Sequence, residues 1–187
     1  KYHDLPAFVF MGKTLTFGEV DAYSTAFAAY LHSRGLEPGD RIALMMPNAL
    51  QYPIALFGCL RAGLILVNTN PLYTPREMKH QFIDSGAKAI IIAENFAANL
   101  QQVIGETQIK TVILTSVGEM LGMRGILVNF VVRKIRKMVP KFSLPNTVAF
   151  KDALKQGRKF TVKPFKSTGD DTIALQYTGG TTGVSKG

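Results

Sequence analysis

The sequence predicts an α/β fold, a doubly wound and mostly parallel sheet flanked by helices. Two observations carry that prediction. Short apolar and β-branched runs without polar alternation, at Ile42 to Met46, Leu64 to Val67, Ala89 to Ala93 and Thr111 to Thr115, suit strands covered on both faces. Between them lie stretches with helical spacing, which parallel crossovers require. A length of 187 residues with 47% hydrophobic content supports a packed core and excludes intrinsic disorder as the main state.

The elements follow in order. Phe8 to Met11 and Thr14 to Phe17 read as two short strands around Gly12 and Lys13, because glycine reaches the positive φ of a tight turn. Phe17, Val20, Tyr23, Phe27, Tyr30 and Leu31 then recur at helical spacing, and Gly35 with Pro38 and Gly39 stops that helix near Arg34. The strand at Ile42 to Met46 leads to a helix over Gln51 to Arg61, and the strand at Leu64 to Val67 to a helix over Pro75 to Asp84. The strand at Ala89 to Ala93 leads to a helical pattern over Asn95 to Ile104, ahead of the strand at Thr111 to Thr115. From Ser116 to Lys166 the alternation lapses into an insertion with Pro140, Pro145 and Pro164, expected to lie outside the sheet core. Ile173 to Tyr177 restores a strand, and a glycine and threonine run follows it directly.

The net charge of +9 is concentrated in one place. Residues 116–166 hold 12 of the 22 Lys and Arg but two acids, Glu119 and Asp152, so this segment carries +10 and the remainder −1. A pI near 9.7 therefore describes one segment and gives no support to nucleic-acid binding. Cys59 has no cysteine to pair with, and its apolar helical surroundings predict a buried, inert thiol. With His3, His32 and His80 scattered along the chain it supplies no metal set, and His32 and His80 are expected at the surface. Asp170 and Asp171 read as turn formers before the last strand. No apolar stretch approaches the roughly 20 residues of a membrane-spanning helix. The chain opens at Lys1 without a methionine and closes within a glycine-rich run, and is read as a piece of a longer protein.

The run after the last strand carries the chemistry. Gly179, Gly180 and Gly183 allow successive backbone N–H groups to form an anion-binding nest, the hydroxyls of Thr178, Thr181 and Thr182 can donate to phosphate oxygens, and Lys186 adds a mobile cation. A plain flexible turn is the competing reading. The run is not a Walker A loop, because Lys186 follows Ser185 and precedes Gly187.

From Tyr177 through Thr178, Gly179, Gly180, Thr181, Thr182, Gly183, Val184, Ser185, Lys186 and Gly187 the sequence resembles the signature phosphate loop of the adenylate-forming superfamily of acyl-CoA synthetases, adenylation domains and luciferases. Many members carry proline where this chain has Ser185. Gly39 to Asn48, Gln51 to Phe57 and Asn70 to Glu77 also resemble stretches of these enzymes, and the double glycine after Thr178 resembles the bacterial long-chain fatty acid CoA ligases. The resemblance covers nearly the whole chain. It implies activation of a fatty acid by Mg²⁺ and ATP to an acyl-adenylate, then thioester formation with coenzyme A, in the cytoplasm. Residues 177–187 would hold the ATP phosphates. The chain would be an incomplete subdomain of the large N-terminal domain. The adenine-binding segment, a magnesium-associated glutamate, a ribose-binding aspartate and a C-terminal-domain lysine would all lie beyond Gly187, so no catalytic set would be complete here and the piece alone would be inactive. A ligase for a different carboxylic acid, or a catalytically silent peripheral module, are the alternative readings, and the oligomeric state stays open.

The basic segment offers a second candidate. On a helix from Gly125 to Lys141, Leu127, Val128, Val131, Val132, Ile135, Met138 and Val139 share an apolar face, while Asn129, Arg133, Arg136 and Lys137 lie opposite, Lys134 stands at the boundary, and Ile126 and Phe130 break the polar face. Two readings stand. The apolar face packs on the protein's own sheet, or Arg133, Lys134, Arg136 and Lys137 bring the chain to an anionic membrane surface.

Overall fold

The computed structural model describes residues 1–178. It opens with a hairpin of β1 (Pro6–Phe10) and β2 (Lys13–Thr16), joined through Met11 and Gly12 at φ +47° and +76°. Two successive positive φ values give the turn a twist that matches the flanking strands. Thr16 then caps α1 (Phe17–Ser33): its hydroxyl accepts the Glu19 N–H at 3.1 Å, and the Glu19 carboxylate accepts the Thr16 N–H at 2.9 Å. Two orphan donors are satisfied reciprocally.

The remaining strands form one parallel sheet. They are β3 (Arg41–Met45), β4 (Ile65–Asn68), β5 (Ala89–Ala93), β6 (Thr111–Thr115), β7 (Thr147–Ala149) and β8 (Ala174–Gln176), in the order β7-β6-β5-β3-β4-β8. The chain enters at β3 and steps to β4 through α2 (Gln51–Arg61). It then crosses back through α3 (Pro75–Ser85) to place β5 on the other side of β3. This reversal makes a topological switch at the carboxyl edge.

Both sheet faces are covered, as the unalternating apolar runs require. Ile42, Leu44, Met46, Leu66, Ile91 and Ile113 face a core built with α1, α2 and α6 (Phe150–Gly157). Ala43, Met45, Val67, Ile90, Ile92 and Val112 face Met78 and Phe82 of α3 and Leu100 of α4 (Ala97–Gln101). Pro75 at the start of α3, the Thr74–Glu77 capping box and Gly86 at φ +64° set both ends of that helix. Cys59 is fully buried, and burial pushes its thiol far above the usual value.

Three expectations are corrected. The 116–166 segment is not excluded from the core: β7 pairs with β6 as an edge strand, and Phe150, Ala153, Leu154 and Gly157 bury a stripe of α6 on α1. Phe150 is fully buried, its ring 4.9 Å from that of Phe27. The helix over Asn95 to Ile104 is broken into a 3₁₀ turn (Glu94–Phe96), the short α4 and a second 3₁₀ turn (Ile104–Glu106), the second break falling where Val103 leaves the helical region at φ −126°. His32 is buried rather than on the surface. Its Nε2 lies 3.2 Å from the Ala62 carbonyl and its Nδ1 accepts the Lys163 N–H at 3.2 Å, tying the insertion across the α1–α2 layer. A ring that satisfies two backbone groups at once can be buried without an orphan polar atom.

Candidate functional site

Parallel sheets bind ligands outside the carboxyl ends of their strands. Here that edge is formed by Met45, Asn68, Ala93, Thr115 and Gln176, and a hydrogen-bond network locks it in place. Asn68 is the hub: its Oδ1 accepts from Tyr52 Oη at 3.1 Å, its Nδ2 donates to Gln176 Oε1 at 3.2 Å, and its carbonyl accepts from Gln81 Nε2 at 3.0 Å. One asparagine thereby ties α2, β4, β8 and α3 together. Further along, the buried Gln51 amide donates to Thr115 Oγ1 at 3.0 Å and the Ser116 carbonyl at 2.7 Å, while Thr115 donates to Glu119 at 2.7 Å.

Of the residues expected to bind phosphate, Tyr177 and Thr178 are described; Gly179, Gly180, Thr181, Thr182, Gly183, Val184, Ser185, Lys186 and Gly187 lie outside the described residues. Tyr177 is buried at the end of β8, where its hydroxyl donates to the Asp84 carboxylate at 2.5 Å. Burial, then the hydrogen bond and charge of Asp84, push the phenol well above its usual value, so it remains a donor throughout the neutral range. Thr178 is exposed beside it. The strand therefore ends in Tyr177 and Thr178 at the carboxyl edge, on an anchored base. Sequence reasoning does not single out Asn68 and Asp84, since neither stands in a motif; their proximity to β8 depends on pairing across about a hundred residues of chain.

A cavity of about 540 Å³ lined by Leu60, Gly63, Ile65, Phe165, Asp171 and Ile173 lies at the opposite, amino edge. Asp171 there accepts the Thr168 N–H at 2.6 Å, the turn-forming role expected of it. Among the described residues no group of three His, Cys, Asp or Glu side chains could hold a metal ion, and no helix is long and apolar enough to cross a membrane.

The basic segment differs from expectation. Its helix is α5 (Met123–Phe130), followed by a π-helical turn (Val131–Ile135). Arg133 is exposed, as expected, but it is not a free cation: it forks onto Glu94, with Nε 2.9 Å from Oε1 and Nη2 2.8 Å from Oε2. The Glu94 carboxylate raises the guanidinium pKa still further. Asn129, also expected outward, donates to Ser116 Oγ at 2.9 Å and accepts the Gly118 N–H at 2.8 Å. Uncapped polar groups just beyond β5 and β6 draw the polar side of the helix inward, and helical periodicity alone cannot register that competition. Lys134, Arg136 and Lys137 are exposed, as expected.

The AMP-binding enzyme family model matches residues 1–187. A long-chain-fatty-acid–CoA ligase of Yersinia pestis is 56% identical over 190 residues, and one of Salmonella typhimurium (strain LT2) is 55% identical over 190 residues. The whole of this chain is covered in both cases and 34% of each relative, so the chain spans about a third of their length. Among solved structures, the anthranilate CoA ligase AuaEII in complex with anthranoyl-AMP superposes with a TM-score of 0.77 at 18% identity, covering 98% of this chain and 31% of that one. At that identity the likeness speaks for the fold.

Proposed function

Because the chain belongs to the AMP-binding enzyme family, we propose that it is the N-terminal part of a long-chain-fatty-acid CoA ligase, the name its 55–56% identical relatives carry. The carboxylate of the fatty acid attacks the α-phosphorus of ATP; a carboxyl O–P bond forms, the bond to the β-phosphate oxygen breaks and pyrophosphate leaves. The thiol of coenzyme A then displaces AMP at the acyl carbon. Charge builds on the departing pyrophosphate, and preorganised donors lower the cost of that charge. The hydroxyls of Thr178, Thr181 and Thr182, the amides of Gly179, Gly180 and Gly183, and Lys186 supply such donors. Mg²⁺ arrives with the nucleotide, and the described residues offer no group of three ligating side chains for it. The remaining catalytic groups belong to the rest of the protein, so residues 1–187 alone form no thioester. The enzyme works in the cytoplasm, with peripheral contact to anionic membrane through the basic segment.

The observation that supports this reading best is the anchored end of β8: Tyr177 on Asp84 starts the phosphate run at the carboxyl edge, beside the Asn68 network. The test is carboxylate-dependent ATP–pyrophosphate exchange by the complete protein with palmitate, acetate, benzoate and an amino-acid mixture. Exchange with palmitate alone is expected. Exchange only with another acid would keep the adenylation chemistry and discard the fatty acid, and none with any acid would leave a silent module. In the same assay Tyr177→Phe removes one hydrogen bond to a charged group whose other side meets water, and is expected to raise KM for ATP about three- to tenfold with KM for palmitate unchanged. Equal shifts in both KM values would show a general loss of structure instead.

A further inference from the structure

The outer face of α5 and its π-helical extension is apolar, the reverse of an ordinary surface helix. Met123, Ile126, Leu127 and Phe130 recur at i, i+3, i+4 and i+7 and are 89%, 73%, 66% and 55% exposed; Ile135 and Met138 continue the face at 63% and 57%. The π turn explains the continuation. Arg136 N–H bonds the Val131 carbonyl five residues back at 2.8 Å, and this extra residue carries the stripe from Phe130 to Ile135 instead of Lys134.

The inner face is fixed to the sheet edge. Gly125 lies against the Gly118 carbonyl so closely that a Cβ would sit 1.8 Å from its oxygen. Asn129 bonds Gly118 and Ser116, just past β6, while Glu94 and Asn95, just past β5, hold Arg133 and the Met138 carbonyl. The apolar face thus cannot roll inward without breaking these bonds, and it stands on the same carboxyl edge that carries Tyr177.

Charge identifies the occupant. No acid occurs between Glu119 and Asp152, while Arg124, Lys134, Arg136, Lys137 and Lys141 are exposed around the stripe. A second copy would bring the same cations face to face, and aliphatic side chains give nucleic-acid bases little to stack on. An anionic bilayer satisfies both halves, taking the apolar side chains below its phosphates and the cations at them.

We propose that this face inserts into an anionic bilayer, with Ile126, Leu127 and Phe130 entering the headgroup–acyl boundary, Lys134, Arg136 and Lys137 meeting lipid phosphates, and Arg133 serving to hold the helix through Glu94. The proposal rests on the peripheral membrane contact of the proposed function and gives it a mode. Docking this way sets the carboxyl edge of the sheet toward the bilayer, the source of an acyl substrate.

The test is co-sedimentation of the complete protein with vesicles of phosphatidylethanolamine and phosphatidylglycerol, and with phosphatidylcholine alone. The wild type is expected on the anionic vesicles. Ile126→Asn, Leu127→Asn and Phe130→Ser combined should weaken binding at least about tenfold with thermal unfolding and ATP–pyrophosphate exchange unchanged, as side chains exposed in residues 1–178 predict; a lowered unfolding temperature would give the face to the rest of the protein and overturn insertion. Lys134→Gln, Arg136→Gln and Lys137→Gln combined should weaken it on the order of 100-fold at low salt and abolish the preference for phosphatidylglycerol. Loss of binding in the charge variant but not in the apolar variant would overturn insertion while keeping electrostatic contact. A wild type that ignores both vesicles would overturn both, and conversion of a dimer to monomer by the apolar variant, without change in vesicle binding, would give the face to a second copy.

Discussion

Gly157→Ala is expected to destabilise the protein by about 3 kcal/mol or more, because α6 meets α1 backbone to backbone at this position. A Cβ there would lie 1.8 Å from the Ala26 carbonyl oxygen and 3.1 Å from Tyr30 Cβ. Neither neighbour is the end of a flexible side chain, so relief requires α6 to lift. Lifting it would withdraw Phe150 from the Phe27 ring and open a fully buried cluster. The measurement is the thermal midpoint and soluble yield of the complete protein, with Gly105→Ala as control, since nothing lies within 4 Å of a Cβ at Gly105. A fall of several degrees for Gly157→Ala and little change for the control is expected. Kinetic constants per folded molecule should stay unaltered. Equal midpoints for the two variants would mean that the α1–α6 layer yields at little cost.

That prediction falls on a segment the periodicity of the chain misassigns, and the reason is physical. The two-sided apolar runs of β3 to β6 are legible because their burial is decided within each strand; every second residue has nowhere polar to point. β7 has three residues, Thr147–Ala149, between Asn146 at φ +54° and the first turn of α6, too few to establish any period. The stripe of Phe150, Ala153, Leu154 and Gly157 is readable at i, i+3, i+4 and i+7, but lysines and a prolonged positive charge around it mask a helix that buries only one narrow face. α5 differs. Its amphipathic pattern is visible, yet which face turns inward depends on Glu94, Ser116 and Gly118, three partners distant in sequence that satisfy Arg133 and Asn129. His32 belongs with them, since its burial is decided by the Ala62 carbonyl and the Lys163 N–H.

The candidate site divides along the same line. Its chemistry is local: a strand, then consecutive glycines, hydroxyls and one lysine, and the type of anion they suit follows from residue types alone. Its support is not local, because Asp84 and Asn68 reach β8 only through the parallel pairing of β4 with β8. Residue types therefore point to the proposed anion chemistry, and the sheet determines what anchors the end of β8 from which that run departs.

Lys186→Ala should lower carboxylate-dependent ATP–pyrophosphate exchange by the complete protein on the order of 10²–10³-fold, the cost of removing one preorganised donor from developing charge. Lysine suits a departing polyphosphate because its ammonium is a compact cation on a flexible stem, able to follow pyrophosphate as charge accumulates. Thr181→Val and Thr182→Val each remove a single neutral donor and should cost less, about tenfold apiece. Lys186→Arg separates charge from fit. If it restores most of the exchange, positive charge is what the leaving group needs; if it stays as low as alanine, the compact ammonium is required. Thermal unfolding of all four variants should match the wild type, in contrast to Gly157→Ala. Full exchange by Lys186→Ala would remove the lysine from the phosphate site and leave the amides and hydroxyls of residues 178–183 to carry the charge.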